Sequence, residues 1–584
     1  GFHAATIARA AAGTCYRYRL DGGPPLPDPA SRYQPTGVHG PSAVTDWRAF
    51  PWTDQAWSGV PLEQTALYEL HVGTFTREGT FAAAAARLQY LKELGVTAVA
   101  LMPVADFAGR WNWGYDGVAL FAPARCYGHP DDLRRFVDSA HRIGLAVHLD
   151  VVYNHFGPDG ASQPTFSRFY VSETHTSPWG PAMNFDGPHS QPVRDYLVQN
   201  ALHWIHEYHI DGLRLDATHA IVDESPRHIL AVLTESIRHS LAGSGRRAQV
   251  IAEDHGNLAR MLRPECRGGL GLDGLWSDDF HHQMRRHLTG DADGYFADFG
   301  GSTEEIAQTA SRGWFYCGQH SAYFGRARGS NPDRVRPSQL VFFLQNHDQI
   351  GNRPSGDRLH HRIGPAAWRA SSTFLLVLPE VPLIFMGQEW AASTPFQFFT
   401  DHHADLGRLI RDSRRRQFNQ FEAFREPAAR GRIPDPQAEE TMLASRLDWS
   451  ELDREPHASA RRLYADLLAL RRDEPTIGGF AQSRVEVAPA DAHSIIVRRR
   501  APGGPDWLVV VRFAGAGTVC LDEYPLAGRP ATDSWAVALT TEDTPYAPDA
   551  QAIAIAPGGT AVSFARPGAV IFRAGPPRAE RTRP

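Results

Sequence analysis

Between Ala66 and Arg472, short apolar runs alternate with helical patterns, and this alternation limits the fold more than any other feature of the chain. Ala66–Leu70, Thr97–Met102, Leu145–Asp150, Gly212–Asp216, Gln249–Glu253, Gly274–Trp276, Leu340–Gln345 and Pro382–Met386 read as eight strands. Phe81–Leu94, Pro130–Ile143, Val193–Tyr208, Pro226–Leu241, Ala366–Leu378 and Arg461–Arg472 read as helices, and Pro130-Asp-Asp is a good helix start. A doubly wound open sheet and a (β/α)8 TIM barrel both permit this pattern. Polar residues at strand C-terminal ends (His71, Asp150, Asp216, Glu253, Asp348, Glu389) favour the barrel. A barrel gathers every strand end around one cleft, whereas an open sheet collects ligands at one switch point.

Among these strand-end carboxylates, three on separate strands say most: Asp216, Glu253 and Asp348. Held over one cleft, they are what acid–nucleophile chemistry on a glycosidic bond requires. The long stretches after the third and sixth strands read as lids or cleft walls. The expected division is residues 1–59 as the remnant of an N-terminal β-domain and linker, 60–475 as the barrel, and 476–584 as a C-terminal antiparallel β-sandwich. Residues 12–19 read as one strand, the tail of that β-domain or an arm on the main body, with the former favoured. The sandwich rests on short alternating runs such as His493–Val497 and Trp507–Phe513.

Composition excludes other classes. The 584 residues are 42% hydrophobic and 21% charged, with a net charge of −6 and no basic block, which argues against a nucleic-acid partner. The five dispersed cysteines form no CxxC or Cys-His cluster, so neither a disulfide framework nor a structural zinc is indicated. No membrane span and no signal-peptide core is apparent, which points to the cytoplasm.

Four blocks carry a resemblance. Asp150-Val-Val-Tyr-Asn154-His155, Gly212-Leu-Arg214-Leu-Asp216-Ala, the strand ending in Glu253, and Asn346-His347-Asp348 occur in the order seen in the alpha-amylase family of glycoside hydrolases. Further segments resemble its trehalose-forming branch, the maltooligosyltrehalose trehalohydrolases. These are Glu69-Leu-His71-Val-Gly73-Thr-Phe75, Ala252-Glu253-Asp254-His255, Asp278-Asp-Phe-His-His282, Gln345 to Arg353, and Gly387 to Phe399. The resemblance covers roughly residues 60–475. Members of that branch cleave the α-1,4 bond adjoining the trehalose end of maltooligosyl trehalose. They usually begin with a small β-sandwich, which is mostly absent here.

The resemblance implies Asp216 as nucleophile, Glu253 as acid–base and Asp348 as transition-state stabiliser. Asp254 competes with Glu253, but neighbours on a strand face opposite ways, so only one points into the cleft. Arg214 lies two residues before Asp216, on the same side of the strand, and would keep it ionised. A structural Arg–Asp pair at the barrel rim and an Asx turn at Asp348 are the plainer alternatives. His155 and His347 would bind sugar hydroxyls, Tyr115 would stack on a sugar, and Asp116 would accept a hydroxyl. Asp278, Asp279, Phe280, His281 and His282 would form a substrate-contacting loop. His219, His255, Gln349 and Asn352 complete the expected contacts. Trp390, Phe396, Phe398 and Phe399 fit either the cleft wall or a packed aromatic core. Asn154 matches a calcium position of many relatives, but other ligands cannot be assembled, and no metal or other cofactor is expected.

The expected partners are maltooligosyl trehalose and trehalose, with the chain a monomer or a homodimer. A branching or debranching enzyme or a general amylase would share the three carboxylates but need another acceptor side. An inactive carbohydrate-binding homologue would have lost at least one of them.

Overall fold

The computed structural model describes residues 5–418, 426, 431–478, 483–528 and 534–575. Its centre is a closed barrel of eight parallel strands in chain order. They are Leu67–Leu70, Ala98–Leu101, Ala146–Val151, Gly212–Leu215, Gln249–Glu253, Gly274–Trp276, Leu340–Phe343 and Val381–Phe385. Closure is made where Leu383 pairs with Leu67 and Ile384 with Tyr68.

Side-chain alternation along the strands builds two cores. Leu67, Ala98, Ala146, Ile251, Val341, Val381 and Leu383 pack together as one buried cluster. Leu213, Leu215, Val250 and Phe342 belong to a separate core with the surrounding helices. Those helices include Pro130–Arg142, Gln191–Glu207, Ile229–Ser240, Asp278–Thr289, Pro365–Val377 and His457–Asp473. Between the fifth and sixth strands there is no α-helix among the described residues, only two short 3-10 turns.

Excursions from the C-terminal strand ends wall the cleft. After the third strand runs a hairpin, Val171–Ser177 paired with Gly180–Met183. After the sixth come the helix Thr303–Arg312 and a small ladder at His320–Ser321 and Arg326–Ala327. The eighth strand has a long excursion too, carrying the helix Ala404–Gln417, and nothing in its hydrophobic pattern marks it as a wall.

The N-terminal segment forms two minimal ladders, Cys15–Tyr16 with Ser42–Ala43 and Tyr18–Arg19 with Pro25–Leu26. The single strand expected over 12–19 is thus split. This segment lies against the barrel: Tyr196 donates to the Pro29 carbonyl at 2.7 Å, and Arg32 pairs with Glu207 at 3.2 Å. Farther on, Trp57 Nε1 donates to Asp211 at 2.8 Å and stacks on His141.

After the barrel, a five-stranded antiparallel sheet faces a three-stranded one. Ile496, Leu508, Val510 and Phe572 meet Val519 and Val562 of the smaller sheet. The alternate residues Ile495, Val497, Val509 and Ile571 join the main core, so both faces of the larger sheet are buried. No helix among the described residues is long and apolar enough to cross a membrane.

Candidate active site

The fourth strand aims Arg214 into the barrel mouth, because its neighbours Leu213 and Leu215 are turned to the helices. One guanidinium then gathers three carboxylates. Arg214 Nη1 donates to Asp150 Oδ2 at 2.6 Å and to Asp216 Oδ1 at 2.9 Å, and Nη2 lies 3.0 Å from Glu253 Oε2. Its charge also sits over the Trp276 ring, 4.6 Å from the centroid. The other oxygen of Asp216 accepts from Asn154 Nδ2 at 2.8 Å. The carboxamide of Asn154 is therefore committed to Asp216, and its oxygen contacts His155 Nδ1.

Glu253 accepts the Ala217 backbone N–H at 2.7 Å. That amide is aimed by an uncommon backbone: Ala217 has φ 42° and ψ 54°, left-handed values that cost a non-glycine residue on the order of 1 kcal/mol. Asp254 turns the other way, bonding Thr218 Oγ1 at 3.1 Å and the Gly256 amide at 2.7 Å. Of the two carboxylates, only Glu253 faces Arg214.

Asp348 lies in the first turn of the short helix His347–Gly351 above the seventh strand. Gly351 lies flat on Trp113, where a Cβ would come 2.0 Å from the ring, so only glycine lets this turn sit down. Asp348 accepts from Asn352 Nδ2 at 3.1 Å and lies 3.6 Å from His347 Nε2. His347 Nδ1 contacts Glu69 at 2.7 Å, and its Nε2 contacts the Tyr115 hydroxyl at 2.7 Å. Tyr115 also donates to Asp150 at 2.7 Å. A continuous network thus joins Glu69, His347, Tyr115, Asp150, Arg214, Asp216 and Glu253.

Crowding these charges shifts their protonation. Burial, with the charges of Glu253 and Asp150, pushes Asp216 up to about 7 although Arg214 opposes it. Burial also raises Glu253, but Arg214 and the Ala217 amide outweigh it and the net shift is downward. Asp348 is raised, by burial first and Glu253 next, against His347. Burial works against a charge on His347, yet Glu69 and Asp348 lift it to about 9. Asp278 is pushed up to about 8 by burial and the nearby Glu253. The cleft therefore holds a protonated histidine and carboxyls that can exchange a proton near neutrality.

A cavity of about 200 Å³ lies beside Glu253 and Asp348. Gln349, Asn352, His255, Asp278 and His282, all named from the sequence, line it. The other members of the Asp278–His282 stretch do not line it. The stretch is the first turn and a half of a helix, Asp278–Thr289, not a loop. Residues i and i+4 share a face, so Asp278 and His282 point to the cavity and the three between point elsewhere. Asp279 is fully buried, accepting from Asn257 and the Phe315 amide and pairing with Arg328 at 2.7 Å. Phe280 stacks on Phe342 and Phe374 in the core. His281 is pinned at 2.6 Å to the Leu344 carbonyl.

His255 stacks on Phe324, and the exposed His219 lies against it with ring centroids 3.9 Å apart. His155 stacks on Trp179 of the hairpin. Asp116 is held by Asn112 Nδ2 at 2.6 Å and His402 at 3.1 Å. Trp390, Phe396 and Phe399 are fully buried, while Phe398 is partly buried beneath Arg414. The sequence reading did not single out Glu69 or Arg328 as site residues, nor the cavity aromatics Tyr295, Phe324 and Phe418. Glu69 carried a signal, a charged residue inside an apolar strand, two places before His71.

Similarity to known proteins agrees with this geometry. The alpha-amylase catalytic-domain family matches residues 52–176. The chain is 47% identical over 467 residues to a malto-oligosyltrehalose trehalohydrolase of Deinococcus radiodurans, covering 80% of this chain and 75% of that one. It is 39% identical over 474 residues to the Saccharolobus solfataricus protein of the same name, covering 81% and 80%. A crystal structure of a putative alpha amylase from Salmonella typhimurium superposes with a TM-score of 0.85 at 35% identity, over 97% of this chain and 92% of that one. The chain belongs to the malto-oligosyltrehalose trehalohydrolases, within the alpha-amylase family of glycoside hydrolases.

Proposed function

We propose that this chain hydrolyses the α-1,4-glucosidic bond adjoining the trehalose end of maltooligosyl trehalose, by double displacement with retention. The relatives' shared name supports the substrate. The observation that carries the mechanism is the joint hold of Arg214 on Asp216 and Glu253. In the first step Glu253 donates its proton to the glycosidic oxygen while an Asp216 oxygen attacks the anomeric carbon. The bond to trehalose breaks and a glycosyl ester forms. In the second step water attacks that carbon, Glu253 takes its proton, and the ester bond to Asp216 breaks, freeing the shorter maltooligosaccharide.

Asp348 and protonated His347 hold sugar hydroxyls, and the Asp348 carboxylate favours the positive charge developing on the ring. With Asp216 pushed up and Glu253 held down, the shared proton has to move onto Glu253 when the sugar binds. The arrangement works as a coupled pair rather than as two independent acids.

Trehalose leaves towards the cavity beside Glu253. His255, Asp278 and His282 there are the proposed readers of an α,α-1,1-linked end. A site that pairs buried polar groups with that end rejects a ligand that leaves them unpaired. Incubation with maltooligosyl trehalose and with the matching plain maltooligosaccharide tests the reading. Trehalose release from the first, with the second cleaved much more slowly, is expected. Faster cleavage of the plain sugar, or no trehalose among the products, would exclude the assignment and leave an amylase-like mechanism.

A further inference from the structure

A second cavity, of about 870 Å³, opens at the opposite end of the barrel, under the starts of the fifth, sixth and seventh strands. Gln249, Asp273 and Gln339, which begin or immediately precede those strands, line it. Its volume falls in the range of small-molecule sites, which is ≈ 300–1,000 Å³.

Its walls concentrate positive charge in a chain whose net charge is −6. Seven arginines line it against three carboxylates, Glu63, Asp273 and Asp333. Arg238 is spoken for by Asp273 at 2.6 Å. The other six, Arg246, Arg247, Arg263, Arg267, Arg334 and Arg336, make no ion pair among the described residues. They come from three separate stretches of chain, so no single helix face or local charge run accounts for their meeting. One polar atom is also left over: Arg246 Nε is buried without a hydrogen-bond partner among the described residues. Buried polar groups of this kind usually have a partner.

We propose that this cavity is a binding site for a phosphorylated sugar. Guanidinium forks match phosphate oxygens in pairs, and an anion would relieve the mutual repulsion of the arginines. Leu62, Leu241, Leu262, Leu272 and Val335 supply apolar wall for the body of the ligand. No aromatic side chain among the described residues lines it, so there is no ring to stack a nucleobase, and this favours a sugar phosphate over a nucleotide.

Calorimetry on the full chain, with glucose 6-phosphate, ATP and inorganic phosphate as separate probes, tests the site. Saturable binding of glucose 6-phosphate, tighter than that of the other two, is expected. The Arg246→Ala variant and the Arg263→Glu/Arg334→Glu double variant should each weaken it about tenfold or more, the loss expected for a charge-assisted hydrogen bond. Trehalose release by both variants should match the parent, which shows that they are folded. Four results would overturn the proposal: no binding at millimolar glucose 6-phosphate, binding undiminished in both variants, binding of ATP at least as tight, or binding of inorganic phosphate at least as tight.

Discussion

Glu69 grips His347 twice: Oε1 lies 2.7 Å from the ring Nδ1, and Oε2 accepts the His347 backbone N–H at 3.0 Å. The first barrel strand thereby fixes both the charge and the orientation of an imidazole that belongs to the seventh. Through the Tyr115 hydroxyl, that imidazole is tied in turn to Asp150 and Arg214.

Replacing Glu69 by Gln should therefore act on catalysis through His347. Without that carboxylate the imidazole loses the main group opposing its burial, and its protonation falls from about 9 towards or below the ordinary histidine range. The basic limb of the kcat/KM profile of trehalose release should move to lower pH. A limb that stays in place would show that His347 does not act as a cation.

The Asp216–Glu253 pair must hold one proton between them, and with Asp216 raised to about 7 that proton is lost near neutrality, which sets a basic limb of its own. Activity should fall as pH rises through that region, because no proton is left for the leaving oxygen. The Asp150→Asn variant removes one charge that raises Asp216 and frees Arg214 to pair with it more closely. The limb should then move down, and a pH–rate series on parent and variant measures the direction.

Glu253→Gln should lower kcat about a hundred- to ten-thousand-fold, the usual worth of a positioned acid–base. Its circular dichroism should match the parent. Asp254→Asn, by contrast, should leave chemistry far less affected, since Asp254 faces Thr218 and Gly256. Comparable losses in the two variants would contradict the assignment of the acid.

A stability test lies where the barrel meets the sandwich. Glu542, 5% exposed, accepts from Arg369 at 2.5 Å, Arg566 at 2.8 Å and the Gln551 amide at 3.1 Å. Arg369 is itself 5% exposed. Glu542→Ala strands a buried guanidinium and should cost ~3–5 kcal/mol, read as a lowered thermal midpoint. Turnover per folded molecule should not change, because this contact is remote from the cleft.

The barrel was legible in the sequence because it is a local matter repeated eight times. Each strand is a short apolar run, and most close on a polar residue that the alternation of side chains delivers to one rim. For the same reason Asp216, Glu253 and Asp348 stood out as strand-end carboxylates; alternation left only one of Glu253 and Asp254 for the cleft, and the family resemblance chose Glu253. What pairs across strands was not legible. Glu69 looks like an anomaly in an apolar run until closure sets the first strand beside the eighth and brings its carboxylate to His347, 278 residues away. The Asp278–His282 stretch looks like a row of contacts until helix geometry divides it between cavity and core. Arg246, Arg263 and Arg334 are unremarkable surface residues in the sequence, and only the folded chain brings them together around one cavity. Local periodicity follows from each residue's own neighbours. Burial, charge pairing and cavities depend on distances between distant segments, which are set only when the barrel closes.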